Sequence, residues 1–260
     1  MIYFSGKSEA KRYSLYRPDI HPQVIQIIKS RLTLKKPVGN VLDVGCGTGQ
    51  SAIALTEIAE RVTGIDISED MISQAQRHEK VVYLQAPAEN IPLPDMTFDM
   101  VTVGLSFHWF DRGKFLGEAY RVLKSPGWLV IYDNFFSGVM RGNTEFEHWL
   151  RDKFIAQFPA PPRDRRPLKD DELGQYGFIL EQSENYEEDV TYNLEQLVGY
   201  LTTMTNIVAV LKEGRMTIDE TVQWLMSSME PFFKGRRECA FLYRGWIKFL
   251  KKMNQPADDR

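Results

Sequence analysis

The sequence has few cysteines and no long uninterrupted apolar stretch. Its two cysteines, Cys46 and Cys239, form neither a spaced disulfide framework nor a metal-ligand set, so we expect a reducing compartment and no metal. No segment reaches the about 18 consecutive apolar residues of a membrane-spanning helix. The first residues also lack a signal-peptide pattern. These absences predict a soluble, cytoplasmic protein.

The sequence also lacks a strong excess of charge of either sign. Its formal net charge is −3, which gives no general attraction to nucleic acid or to an anionic membrane. A short arginine cluster at 163–166 is interrupted by Asp164. We therefore expect neither nucleic acid nor a membrane as a partner. No internal repeat divides the 260 residues, which suffice to bury one sizeable core.

An apolar run followed by three alternate glycines is the most informative segment. Residues 41–44 are typical of a short strand, and Gly45, Gly47 and Gly49 then lead into a helix. Such glycines let a backbone approach a ligand that a Cβ atom would exclude, and the helix directs free N–H groups at the same place. The next apolar run ends in Asp66, which suits the two hydroxyls of a ribose. A nucleoside-containing cofactor is predicted.

The glycine spacing favours one kind of cofactor over another. A dinucleotide fingerprint has the spacing G-x-G-x-x-G and holds a pyrophosphate. Here the spacing is G-x-G-x-G, and Asp43 lies two residues before the first glycine. A carboxylate there disfavours a pyrophosphate and favours a cationic ligand. Residues 43–49, with Asp66, resemble motif I of the class I S-adenosylmethionine-dependent methyltransferases.

The resemblance continues in order over residues 38–133. Residues 86–92, 98–104 and 118–127 are similar to the family's G-D-A-E-x-L-P, F-D-x-V and E-A-x-R-V-L-K-P-G-G segments, with Pro87 where many relatives have an adenine-binding Asp. The resemblance implies that S-adenosylmethionine is bound and S-adenosylhomocysteine released. The implied cofactor residues are Asp43, Gly45, Cys46, Gly47, Gly49, Asp66, Ile67, Met71, Ala88, Glu89 and Val103.

The resemblance also implies the fold. We expect a doubly wound α/β protein with a Rossmann-like seven-stranded sheet whose last strand is antiparallel. Residues 1–260 would form one methyltransferase domain, with 1–37 covering the cofactor and 38–134 as the cofactor-binding core. The last strands would occupy 177–192 and 237–250. Apolar spacing predicts helices in 135–175 and 194–232. In the second region we expect one helix with an apolar stripe from 194 to 208 and an N-cap at Asn193, and another with an N-cap at Thr217. These helices either roof the active site or merely pack on the core.

Residues 107–109 are the first candidate for substrate chemistry. They follow the fourth strand, at the edge where open parallel sheets bind ligands. His108 could act as a base or contact the substrate, and Phe107 or Trp109 could stack on it. Alternatively, these aromatic residues anchor the next helix, for which Asp111 is the expected N-cap.

Residues 10–19 are the second candidate. They are similar to the A-x-x-Y-x-x-x-R-P-x-Y-P segment of many small-molecule methyltransferases. Arg17 could clamp a carboxylate of the substrate or of the cofactor, with Tyr13 and Tyr16 beside it. Alternatively, Arg17 is a surface residue paired with Asp19 or Glu9.

The favoured function is transfer of a methyl group to a small molecule by in-line displacement. The chain looks most similar to the trans-aconitate and quinone-biosynthesis branches. A polycarboxylate acceptor would use Arg17, with Arg163 or Arg166, and would need no base, whereas a phenol or amine would depend on His108. A non-catalytic S-adenosylmethionine-binding protein and an NAD-type oxidoreductase are the alternatives. The sequence leaves the choice between monomer and homodimer open.

Overall fold

A computed structural model describes residues 6–164 and 166–253, which form a seven-stranded sheet and its helices. The strands are β1 (Val38–Val44), β2 (Ala59–Asp66), β3 (Val81–Gln85), β4 (Phe98–Gly104), β5 (Leu123–Met140), β6 (Phe178–Tyr192) and β7 (Cys239–Lys252). The helices are α1 (Lys7–Tyr16), α2 (His21–Arg31), α3 (Gln50–Leu55), α4 (Glu69–Ser73), α5 (Arg112–Val122), α6 (Glu145–Trp149), α7 (Ile155–Gln157), α8 (Asp170–Gln175), α9 (Leu194–Leu201), α10 (Thr205–Lys212) and α11 (Ile218–Phe233). A 3₁₀ turn covers Phe107–Trp109, and a π turn covers Leu150–Phe154. Met1–Ser5 of the expected cofactor-covering segment lie outside the described residues.

The strand order is β3-β2-β1-β4-β5-β7-β6. The first five strands pair in parallel. β7 runs the other way: Ser137 of β5 bonds to Leu242, and farther along the chain Arg141 bonds to Ala240. This arrangement confirms the predicted doubly wound, Rossmann-like sheet with an antiparallel last strand.

The parallel register brings several strand ends together. Val44 pairs with Ile65 and Asp43 with Thr102, so the residues that follow β1, β2 and β4 emerge at one edge, next to Tyr132 within β5. Because side chains at the carboxyl ends of parallel strands face the same crevice, this edge is where a ligand is expected. The glycine loop, Asp66 and residues 106–109 all lie there.

The chain divides into two compact units. The loop unit consists of Asp19–Asp133, Arg163–Asn185 and Trp246–Arg260, and it contains the glycine loop. The tyrosine unit consists of Met1–Pro18, Asn134–Pro162 and Tyr186–Gly245. Each has its own buried apolar cluster, built around β1, β4 and α5 in the first and around α9, α11 and several aromatic rings in the second. The expectation of one domain in which helices roof a site stays a prediction.

Several predicted boundaries need correction. Residues 135–140, expected in the helical region, continue β5, because the strand goes on pairing with β7 beyond Asp133. The apolar stripe from 194 to 208 forms two helices, not one. The hydroxyls of Thr202 and Thr203 bond back to Gly199 and Tyr200, which ends α9. The predicted caps at Asn193 and Thr217 are both confirmed.

No single helix among the described residues is long and apolar enough to cross a membrane. The pair α9 and α10, bent by 62°, meets the length and composition criteria when both are taken together.

Candidate cofactor site

The glycine loop is shaped by conformations that side chains rarely adopt. Gly45, Gly47 and Gly49 have φ angles of 72°, 54° and 83°. A Cβ atom at Gly45 would collide with Ser106, and one at Gly49 would collide with Tyr83. A Cβ atom at Gly47 would lie 3.3 Å from the terminal methyl of Met71. The loop therefore has a backbone conformation that favours glycine at all three positions, and it leads directly into α3.

Asp43 lies under the loop with none of its surface exposed. Its carboxylate accepts hydrogen bonds from Ser51 of α3 and, at 3.0 Å, from Thr102 of β4. Burial raises the pKa of Asp43 to about 6, against the effect of the Ser51 and Thr102 hydrogen bonds and with a smaller increase from the charge of Asp66. Because Asp43 is fully buried, its charge can influence a ligand at the loop, but its carboxylate cannot contact that ligand directly. Neither Ser51 nor Thr102 was predicted from the sequence as a partner of Asp43.

Asp66 connects the end of β2 to the glycine loop. One oxygen accepts the Gly47 N–H at 2.8 Å, and the other accepts the Ser68 N–H at 2.8 Å. Burial raises the pKa of Asp66, while these backbone donors lower it. Since each carboxylate oxygen has two lone pairs, Asp66 can still accept a ribose hydroxyl. The predicted role of Asp66 fits this geometry.

Three polar side chains at the loop lack an ion-pair or hydrogen-bond partner among the described residues that their chemistry calls for. Neither Asp43 nor Asp66 forms an ion pair with any described residue. The Thr48 hydroxyl is buried and has no hydrogen-bond partner within residues 6–164 and 166–253. Buried charge and buried hydroxyl groups are costly without partners. The loop is therefore complementary to a ligand that carries positive charge and polar groups.

The other predicted cofactor residues differ in what they expose. Cys46, Met71, Ala88 and Val103 are buried, whereas Ile67 is 49% exposed beside Asp66. Burial raises the pKa of the Cys46 thiol well above its usual value, so this residue can offer a ligand its backbone but not a thiolate. Both cysteines are free. The pattern suits a largely apolar surface beside Asp66.

Glu89 has a use that the sequence did not indicate. Its carboxylate accepts the N–H of Asp111, the residue that caps α5, at 2.9 Å. Two residues of α5 bind the loop after β3 a few residues beyond Glu89. Glu118 accepts the Ile91 N–H, and Arg121 donates to the Ile91 and Leu93 carbonyls. The E-A-x-R segment thus fixes the loop that follows β3.

The segment after β4 is bonded to the residue that precedes the glycine loop. The Ser106 hydroxyl donates to the Val44 carbonyl at 3.2 Å. Phe107 is buried, packs edge-on against Phe110 and Phe115, and lies under the Arg112 guanidinium at 5.2 Å. The alternative interpretation, in which Phe107 anchors the following helix, is the one that its packing supports.

His108 and Trp109 are more accessible than Phe107. The His108 Nδ1 atom lies 3.5 Å from the Asp133 carboxylate, and its ring lies 4.8 Å from the Trp109 ring. The guanidinium of Arg163 covers Trp109 at 5.1 Å. Arg166, by contrast, is 76% exposed and pairs with Asp164. The structure thus brings Arg163, and not Arg166, beside the predicted substrate residues.

Tyr13, Tyr16 and Arg17 lie in the tyrosine unit. Arg17 donates to the Thr203 carbonyl at 3.0 Å, and its guanidinium lies 4.7 Å from the Tyr13 ring and 5.4 Å from the Tyr200 ring. It is partly buried, so the alternative of a surface arginine paired with Asp19 or Glu9 does not describe it.

The charge of Arg17 is placed among phenol groups. Burial lowers the pKa of Arg17, and the oxygens of Tyr13, Tyr200, Tyr243 and Tyr192 raise it, with a net increase. The Tyr192 and Tyr243 hydroxyls are 2.8 Å apart. Tyr16 is 37% exposed, and its ring lies against Gly199. These contacts build a cationic, phenol-rich cluster.

Comparison with known proteins agrees with this geometry. Residues 42–131 match the profile of a family described as a methyltransferase domain. A demethylmenaquinone methyltransferase of Thermus thermophilus is 33% identical over 159 residues, which cover 50% of this chain and 72% of the relative. The chain belongs to the class I S-adenosylmethionine-dependent methyltransferases.

Two further similarities extend over more of the chain. A Dictyostelium discoideum protein named as a methyltransferase is 26% identical over 219 residues, or 81% of this chain and 80% of the relative. A solved structure from Anaeromyxobacter dehalogenans, described as a type II methyltransferase, superposes with a TM-score of 0.71 over 92% of this chain and 100% of its own. At 22% identity, the second similarity supports the fold alone.

Proposed function

We propose that this protein binds S-adenosylmethionine at the glycine loop and transfers its methyl group to a small molecule. The observation that carries the proposal is the pair of carboxylates, Asp43 and Asp66, which have no ion pair among the described residues. S-adenosylmethionine has a positive sulfonium and a positive amino group, whereas the pyrophosphate of NAD would bring negative charge to the same place.

The residues present fit that cofactor. Backbone carbonyl groups of residues 45–49 and the Thr48 hydroxyl would hold the methionine part, since most N–H groups of this loop already donate within the protein. Asp66 would accept the ribose hydroxyls. Ile67 and Met71 would flank the adenine, with Ala88, Glu89 and Val103 completing the surface. When bound, S-adenosylmethionine supplies a methyl carbon activated by its sulfonium.

The protein's own contribution would be mainly alignment. An in-line displacement depends on a held acceptor and on exclusion of water more than on a strong catalyst. His108 and Trp109 are the proposed acceptor contacts of the loop unit. Tyr13, Tyr16 and Arg17 stay predicted substrate residues of the tyrosine unit. The near-neutral charge supports a small-molecule acceptor over a nucleic acid. So do the names of two relatives, a demethylmenaquinone methyltransferase and a ubiquinone/menaquinone biosynthesis C-methyltransferase.

Isothermal titration tests the cofactor assignment. We expect micromolar binding of S-adenosylmethionine and S-adenosylhomocysteine and no binding of NAD. Binding of NAD alone, or of none of the three, would overturn the proposal. Binding of the sulfur cofactors, without S-adenosylhomocysteine formation from any small acceptor in a broad screen, would favour a non-catalytic binding protein.

A further inference from the structure

We infer that Asp133 positions His108 so that His108 takes the proton of the methyl acceptor, and that the acceptor is a hydroxyl or amine compound. This inference rests on the proposed function. It adds one positioning residue, Asp133, and a class of acceptor.

The two side chains come from neighbouring strands of the sheet. His108 lies in the 3₁₀ turn that follows β4, and Asp133 follows Tyr132, whose partner in the register is Gly104 at the end of β4. The Asp133 carboxylate faces the Nδ1 atom of His108 at 3.5 Å. A carboxylate next to one ring nitrogen favours the tautomer in which that nitrogen carries the proton. Nε2 is then the basic nitrogen.

The second ring nitrogen is available to a ligand. Nε2 of His108 makes no hydrogen bond to any residue in the described part of the chain, and the side chain is 16% exposed. The His108 ring packs against the Trp109 ring, and the guanidinium of Arg163 lies over that tryptophan. The ring is thus fixed by its neighbours, Nδ1 faces a carboxylate, and Nε2 is available to accept a proton. This is the arrangement of a general base.

The surroundings place this base beside the cofactor residues. The segment 106–111 is fixed at its first residue by the bond from Ser106 to Val44, just before the glycine loop. At its last residue it is fixed by the bond from Asp111 to Glu89. His108 lies between these two attachments, both of which involve segments assigned to the cofactor.

The chemistry then selects the acceptor. As the acceptor's oxygen or nitrogen bonds to the methyl carbon, the methyl–sulfur bond breaks with its electrons left on sulfur, and the acceptor's proton moves to Nε2 and then to water. A phenol, an alcohol or a neutral amine with an N–H bond has both a lone pair for the methyl carbon and such a proton to lose. A carboxylic acid is already ionised at neutral pH and gains nothing from a base.

Nitrogen NMR of the histidines tests the positioning directly. The chain has four histidines, and His108→Gln identifies the signals of His108. At pH 8.5 we expect the proton on Nδ1 in the unmodified protein and a majority on Nε2 in Asp133→Asn and Asp133→Ala. Asp99→Asn is the matched control, because Asp99 is a partly exposed carboxylate paired with Lys124, and it should leave the His108 tautomer unchanged. A proton on Nε2 in the unmodified protein, or no change without Asp133, would overturn the inference.

A pair of small probes tests the acceptor class in the same samples. With S-adenosylhomocysteine bound, 4-methylphenol should shift the His108 Nε2 signal, and 4-methylbenzoate should not. A shift with the benzoate alone, or with neither probe, would contradict the hydroxyl or amine assignment. Titration of S-adenosylhomocysteine comes first: if it does not bind, the proposed function fails, whereas a wrong tautomer in protein that binds it counts against Asp133 alone.

Discussion

The loop unit buries negative charge, whereas the tyrosine unit buries a positive one. Asp43 and Asp66 have raised pKa values because burial disfavours their charged forms, and no described cation compensates. Arg17 lies between aromatic rings and donates to a carbonyl, and nearby phenol oxygens raise its pKa. Ring faces and carbonyls stabilise a cation within the fold. The carboxylates lack such support, which is expected where the compensating charge belongs to a ligand.

The first prediction concerns the free energy of unfolding of Asp43→Asn. The pKa of Asp43 is raised in the folded state, so its ionised form destabilises the native protein as pH rises from about 4, and the loss is complete above about 6. Removing the charge should stabilise the protein by up to about 3 kcal/mol at pH 7.5, and the gain should vanish near pH 4. Urea unfolding at several pH values measures it.

Asp99→Asn is the control for that prediction, because Asp99 is partly exposed and paired with Lys124 at 2.9 Å. It should show no comparable gain at pH 7.5. A stability change in Asp43→Asn that is the same at every pH would mean that charge burial is not the cause.

The second prediction concerns cofactor affinity in Asp66→Ala. The variant loses the acceptor of the Gly47 and Ser68 N–H groups and the proposed ribose contact. We expect affinity for S-adenosylhomocysteine to fall by about 100-fold, or about 2.7 kcal/mol. Calorimetric titration measures the change. Asp70→Ala, in the first turn of α4, should bind normally; equal losses in both variants would place the effect in the fold and not in the site.

The third prediction compares two glycines that share a left-handed backbone. Gly49 has a φ angle of 83° and no room for a Cβ atom because of Tyr83, while Gly142 has a φ angle of 74° and open space around it. Replacement by Ala should cost about 1 kcal/mol at Gly142 from backbone strain and at least about 2 kcal/mol at Gly49. Urea unfolding distinguishes them, and equal costs would show that Tyr83 moves away freely.

The smallest effect is expected from Arg17→Gln in the tyrosine unit. The loss of the bond to Thr203 and of two ring contacts should lower the free energy of unfolding by about 1.5 kcal/mol. Lys11→Gln, an exposed change in α1, the helix that ends just before Arg17, should have little effect. If the Arg17 variant is as stable as the unmodified protein, the contacts between the Arg17 charge and the tyrosine rings do not contribute to the free energy of unfolding.

The sequence predicted local features of the loop unit better than the contacts between residues that lie far apart in the chain. Alternate glycines and a strand-ending acid are local signals, so the loop and Asp66 were both predictable. The hydrogen bond from Thr102 to Asp43 joins residues far apart in the chain and has no local signal. The pairing of Asp133 with His108 is of the same kind, because sheet register creates it.

Predictions beyond β5 were weaker for a related reason. The apolar stripe from 194 to 208 is continuous in sequence, and two threonine hydroxyls that bond to the backbone divide it. Phe107 and Trp109 look equivalent in sequence. In the structure Phe107 is buried against Phe115, whereas Trp109 contacts the guanidinium of Arg163. Aromatic residues in a short turn do not show which of them enters the core.

The most direct test compares S-adenosylmethionine with S-adenosylhomocysteine, which lacks the methyl group and the sulfonium charge. Their affinity ratio isolates the interaction of that positive charge with the buried carboxylates. If Asp43 acts through its charge, the ratio in favour of S-adenosylmethionine should fall as pH drops from 7.5 to 5.5, because Asp43 takes up a proton near pH 6. In Asp43→Asn the ratio should be low and independent of pH. A ratio that does not change with pH in the unmodified protein, or that keeps its pH dependence in Asp43→Asn, would contradict the role of buried charge in cofactor binding.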